Sequence, residues 1–150
     1  MEILPEWAPG WHPLIIHFPV ALLSLAAGAT VLEVFYRPGW LSKAILALYA
    51  LGTAAAAVAY LTGRSAAESI GLNLKAEAAI STHSDWGLYT LLTFIGLSAL
   101  YYLAVFFFKW NKTPVRLVLA VLALAGFFVL AQTAEYGGRL VFEFGLGVQQ

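Results

Sequence analysis

Three histidines, at positions 12, 17 and 83, are the side chains best equipped for chemistry in this 150-residue sequence, which contains no cysteine. Without cysteine the chain cannot attach a c-type haem through Cys-x-x-Cys-His, hold an iron–sulfur cluster, build a thiolate zinc site or form a disulfide. Any cofactor falls to histidine, carboxylate or packing. His17 lies about one turn into an apolar run that opens at Pro13, a setting in which an ionisable group is costly and points to function. Pro19 lacks the amide that would bond the Ile15 carbonyl, so the helix is expected to bend and open space around His17. Helical steps of three and four place Ala21, Ser24 and Gly28 below His17, and Gly87 and Thr90 below His83. Two histidines above small-residue grooves on neighbouring helices could clasp a planar macrocycle, one imidazole on each side of its iron. The expected site is therefore a b-type haem ligated by His17 and His83, with His12 as the substitute ligand. Arg64 and Arg139 would pair with its propionates.

The same residues allow plainer readings. Small-residue stripes, including Gly52, Ala56, Ala59 and Gly63, are used for helix packing. His83, within Ser81-Thr82-His83-Ser84-Asp85, could belong to the capping turn of a helix that begins there. His12 suits the membrane interface, and Glu33 suits a one-turn ion pair with Arg37. A mononuclear copper or zinc site on the histidines is a further candidate. His12 and His17 are five residues apart, about 140° around a helix, unlike the one-face pair of a zinc-protease helix. No phosphate loop, nucleophile elbow or dinucleotide fingerprint occurs.

The elements that must position these residues follow from composition. Hydrophobic residues make up 61% of the chain and charged residues 11%, with mean hydropathy +0.82, against about 25% charge in a soluble domain. A helix crossing a bilayer needs roughly 20 apolar residues, and the chain supplies them near 13–36, 41–62, 86–108 and 114–134. Short turns at Arg37-Pro38-Gly39-Trp40 and at 109–114 imply an all-α, up-down-up-down, four-helix membrane bundle in one domain. The connector 63–85 could carry a short amphipathic helix on Leu72, Leu74, Ala76, Ala79 and Ile80. The tail 135–150 alternates bulky residues, which suggests an extended segment over the mouth of the bundle.

Arg37, Lys43, Lys109, Lys112 and Arg116 cluster at the two short turns, so the positive-inside rule puts both termini outside. Trp7, Trp11 and Trp86 then mark one headgroup belt, and Trp40 and Trp110 the other. The amino-terminal stretch carries Glu2 and Glu6 without a base, which argues for a retained anchor rather than a cleaved signal. Eight basic residues balance eight acids, leaving no basic surface for nucleic acid.

The run Trp11-His12-Pro13-Leu14-Ile15-Ile16-His17-Phe18-Pro19-Val20-Ala21-Leu22-Leu23 resembles the opening of the DUF2231 family of small bacterial membrane proteins. The resemblance continues through Leu61-Thr62-Gly63, His83, and the tail Gly137-Gly138-Arg139-Leu140-Val141-Phe142-Glu143-Phe144-Gly145-Leu146-Gly147-Val148. It implies a redox setting, because some members are joined to Rieske-type domains or lie near electron-transfer genes, and their histidines look like haem ligands. The family's usual tail reads Tyr-x-His-Gly-Val-Gly-Val. This chain has Phe142, Phe144 and Leu146 at those places, so a fourth histidine is missing.

Two functions are expected from this reading. One is a cytochrome b-like electron relay, not a substrate-transforming enzyme, exchanging electrons between quinone or a membrane partner and an external carrier. The other is a cofactor-free accessory subunit whose small and aromatic faces pack into a larger membrane complex, as a homo- or hetero-oligomer. A transporter ranks lower, for no chain of charged residues crosses the spans.

Overall fold

The computed structural model describes residues 10–69 and 76–146, and every regular element among them is helical: α1 (Trp11–Ile15), α2 (His17–Phe35), α3 (Leu41–Ser69), α4 (Glu77–Tyr102), a π-helical turn (Leu103–Phe107) and α5 (Thr113–Phe142). Four stretches are long and apolar enough to cross a membrane: Trp11–Phe35, Leu41–Glu68, Glu77–Phe107 and Thr113–Phe142. Helix α2 packs against α3 and α5, and α4 packs against the same two, so the bundle is a square in which sequence neighbours are also spatial neighbours. Short α1 leans on α3.

The core runs down the axis through Leu23, Ala26, Ile45, Tyr49, Phe94, Tyr101 and Leu119. Outward, Phe18, Phe35, Leu61, Val121 and Phe128 are exposed, as expected of helices apolar all round whose outer faces meet lipid. Small residues set the closest approaches. A Cβ on Gly52 would lie 2.5 Å from a Leu23 methyl, and one on Gly126 would lie 2.7 Å from Leu97. The lower part of the α3 stripe is thus helix packing.

Three expectations about the ends are revised. Helix α3 runs to Ser69 and α4 begins at Glu77, so Ala76, Ala79 and Ile80 belong to the start of a spanning helix; Leu72 and Leu74 lie outside the described residues. The tail is helical to Phe142, not extended, because Arg139 pairs with Glu135 one turn earlier at 2.5 Å and lies over the Tyr136 ring. Gly145, at φ 64, then ends the run, with its amide bonded to the Val141 carbonyl and that of Leu146 to the Leu140 carbonyl. Residues 147–150 lie outside the description.

The helix break expected near His17 falls at Ile16, between α1 and α2. Its cause is Pro19, which has no amide to offer the Ile15 carbonyl.

Glu33 does not pair with Arg37. It is 1% exposed, forms an ion pair with Arg116 of α5, and accepts hydrogen bonds from Ser42 of α3 and, at 2.8 Å, from Tyr101 of α4. Position 33 shares the inward face of α2 with Ala26 and Thr30, and a carboxylate held there needs partners from other helices. Arg37 instead turns outward, donating to the Val34 carbonyl and to Thr113 Oγ1.

Candidate functional site

The site is assembled from two hairpins. In the first, His12 on α1 turns toward α3, and its Nδ1 lies 2.9 Å from the Ala59 carbonyl oxygen and 3.3 Å from Thr62 Oγ1. In the second, His83 on α4 turns toward α5, with Nδ1 3.1 Å from the Thr133 carbonyl oxygen. A carbonyl oxygen only accepts, so each Nδ1 carries a proton and donates it, and each neutral ring keeps its lone pair on Nε2. Fixing one nitrogen on a backbone carbonyl so that the other can ligate is how proteins orient histidine ligands.

A glycine makes each approach feasible. A Cβ on Gly63 would lie 2.8 Å from His12 Cε1, and one on Gly137 would lie 2.9 Å from His83 Cε1. Each glycine sits one turn after the carbonyl that its histidine bonds, Gly63 after Ala59 and Gly137 after Thr133. The first helix of each hairpin thus offers a histidine to a carbonyl-and-glycine notch on the second. The two half-sites are equivalent in construction.

They also meet. The ring centres of His12 and His83 are 6.2 Å apart, with planes inclined by 71°. Below His83 the support is continuous: Thr90 Oγ1 is 2.7 Å from Thr133 Oγ1, which lies 2.8 Å from the Trp86 carbonyl, and Trp86 stacks on Tyr136.

The histidines that meet are not the two expected to pair. The structure puts His12, not His17, against His83. His17 is exposed and its side chain makes no hydrogen bond or ring contact with a described residue; it lies beyond the break at Ile16, at the start of α2, whereas His12 is on α1. Gly28 likewise faces open space, and Gly87 packs at ordinary distance from Tyr60. His83 is not a capping residue, since α4 begins more than a turn earlier, at Glu77. Arg64 is exposed, near Gly63, whereas Arg139 is engaged by Glu135.

A family model described as "Predicted membrane protein (DUF2231)" matches residues 9–150. The chain belongs to this family. No curated protein and no solved structure matches it. For this DUF2231 protein the four apolar helices establish a multi-pass membrane location. Its one constellation of paired histidines joins the beginning of the matched region to its middle.

Sequence reasoning missed Ala59, Thr62, Thr133 and Gly137 as the groups that hold the imidazoles. The available signal was a repeated spacing: each hairpin places a glycine four residues after the carbonyl that accepts from its histidine and an arginine close behind, at Arg64 and Arg139. Side-chain identity differs between the halves, and the carbonyl that matters has no side-chain signature.

Proposed function

We propose that this DUF2231 protein is a membrane-embedded electron carrier in which His12 and His83 would hold the iron of one b-type haem. The observation that carries the reading is the facing pair of imidazoles, 6.2 Å apart, each with Nδ1 on a backbone carbonyl. Two imidazoles sharing one metal at about 2.0–2.1 Å per nitrogen would hold their ring centres at most roughly 6.3 Å apart. The separation of the ring centres falls within that limit.

The donor count favours haem over a bare ion. Among the described residues no group of three or more histidine, aspartate or glutamate side chains gathers to hold a metal. Two nitrogens are too few for a protein zinc site but are the full axial set of a haem iron. Bound there, haem would supply a one-electron couple; quinone or a membrane partner on one side and an external carrier on the other would exchange electrons with it. The chain's own part is to hold each Nδ1 on a backbone carbonyl so that Nε2 is left to ligate, and to offer Arg64, exposed beside Gly63, to a carboxylate at the same end. With the basic turns inside, the site lies toward the outer face of a bacterial inner membrane.

The test is absorption spectroscopy of the protein purified in detergent after expression with ample haem. Wild type and His17→Ala should show a sharp α-band on dithionite reduction, and His12→Ala and His83→Ala should each lose it. A colourless wild type with full helical circular dichroism overturns the proposal and favours the accessory-subunit role. A band that depends on His17 but not His12 overturns the ligand assignment.

A further inference from the structure

The end of the bundle farthest from the histidines carries a second concentration of charge. Eighteen residues of α4 separate His83 from Tyr101, about 27 Å at about 1.5 Å per residue, so this end lies near the opposite leaflet. Arg37, Lys43, Lys109, Lys112 and Arg116 share it with one acid, Glu33. Glu33 is buried against Arg116. Arg37, Lys43, Lys109 and Lys112 are exposed and form no ion pair among the described residues.

The connection from α4 to α5 gives this charge a shape. After the π-helical turn the chain folds back, the Trp110 amide bonding the Ala104 carbonyl at 2.8 Å. Asn111 is gripped from two sides: Arg116 Nη2 donates to its Oδ1 at 2.8 Å, and Arg37 Nη1 reaches its carbonyl at 3.5 Å. Trp110 stacks on Phe108, ring centres 4.8 Å apart. Beside these groups is a cavity of about 290 Å³, half open to the outside and lined by Lys109, Trp110, Asn111, Lys112 and Val115. Its lining is mostly apolar, and Lys109, Lys112 and Asn111 are the residues along it that carry polar side chains.

We propose that this cavity binds the headgroup of an anionic phospholipid from the leaflet around the two turns. Lys109 and Lys112 meet the phosphate, Asn111 offers its side-chain amide, and Trp110 with exposed Phe107 and Phe108 lies at the level where acyl chains begin. Tryptophan at that depth and lysine facing an anionic surface are the expected recognition elements. Among the described residues no acid pairs with Arg37, Lys43, Lys109 or Lys112, which leaves them to an external anion. The proposal is independent of what the histidines hold.

The test follows thermal unfolding of the detergent-purified protein in mixed micelles containing phosphatidylglycerol or phosphatidylcholine, and separately with inorganic phosphate at the same concentration. Wild type should be stabilised by several degrees more with phosphatidylglycerol than with phosphatidylcholine, and the difference should shrink in molar salt. The variant Lys109→Asn/Lys112→Gln should lose the difference; asparagine is chosen because Lys109, at φ 55, occupies the left-handed region that asparagine tolerates. Equal stabilisation by the two lipids, or a difference that survives in the variant, overturns the proposal. Equal stabilisation by inorganic phosphate would overturn the lipid as ligand and assign the cavity to free phosphate. Native mass spectrometry provides a second readout: wild type should retain more phosphatidylglycerol than the variant, and equal retention overturns the site even if the variant is less stable.

Discussion

At the scale of single residues, the two glycines that admit the imidazoles matter as much as the imidazoles. A methyl group at either position would overlap the ring edge, at 2.8 Å for Gly63 and 2.9 Å for Gly137. The helix backbones cannot retreat cheaply, so the ring must leave its carbonyl. Gly63→Ala and Gly137→Ala should each cost about 1–3 kcal/mol, typical of overpacking, measured by thermal or denaturant unfolding in detergent. If the haem reading holds, both should also weaken the reduced α-band, while Gly28→Ala, which meets open space, should change neither stability nor spectrum. Because the half-sites are alike, His12→Ala and His83→Ala should have comparable effects. This part of the site was only half legible. A histidine in an apolar run is conspicuous, but which of two nearby histidines faces inward depends on helix phase, and Ile16 interrupts that phase.

At the scale of elements, Glu33 connects all four spanning helices: it sits on α2 and reaches Ser42 on α3, Tyr101 on α4 and Arg116 on α5. Arg116 is 5% exposed and its Nε finds no acceptor among the described residues, so its charge relies on Glu33. Removing one partner of a buried pair strands the other, at about 3–5 kcal/mol. Glu33→Ala should therefore destabilise the bundle by that amount, measured by unfolding in detergent. The double variant Glu33→Leu/Arg116→Leu should recover much of the loss, since an apolar pair of similar volume avoids the stranded charge; no recovery would contradict a stability role for the pair. Sequence suggested Arg37 as the partner because it is one turn away, whereas the partner that matters comes from the far end of the chain. Helix lengths were likewise underestimated, because hydropathy marks where lipid ends and says little about where helical hydrogen bonding ends.

At the scale of the whole molecule, charge and pseudo-symmetry share one axis. One end holds the short turns with five basic residues and one acid; the other holds the paired histidines and, among the described residues, Glu68, Glu77, Asp85, Glu135 and Glu143. By the positive-inside rule, reporters fused at residue 39 or residue 111 should report the cytoplasm, and a reporter at residue 146 the outside. The reverse pattern would invert the orientation and move the histidine pair to the inner face. What the sequence determined alone is the number of spans, their order and the membrane location, because each depends on local apolar length and on turn residues adjacent in the chain. The tertiary structure decided which histidine meets His83, which cation neutralises Glu33 and which glycines make room. Those contacts join residues far apart in the chain, and they depend on the rotation of each helix about its own axis, which apolar composition all round a helix does not encode.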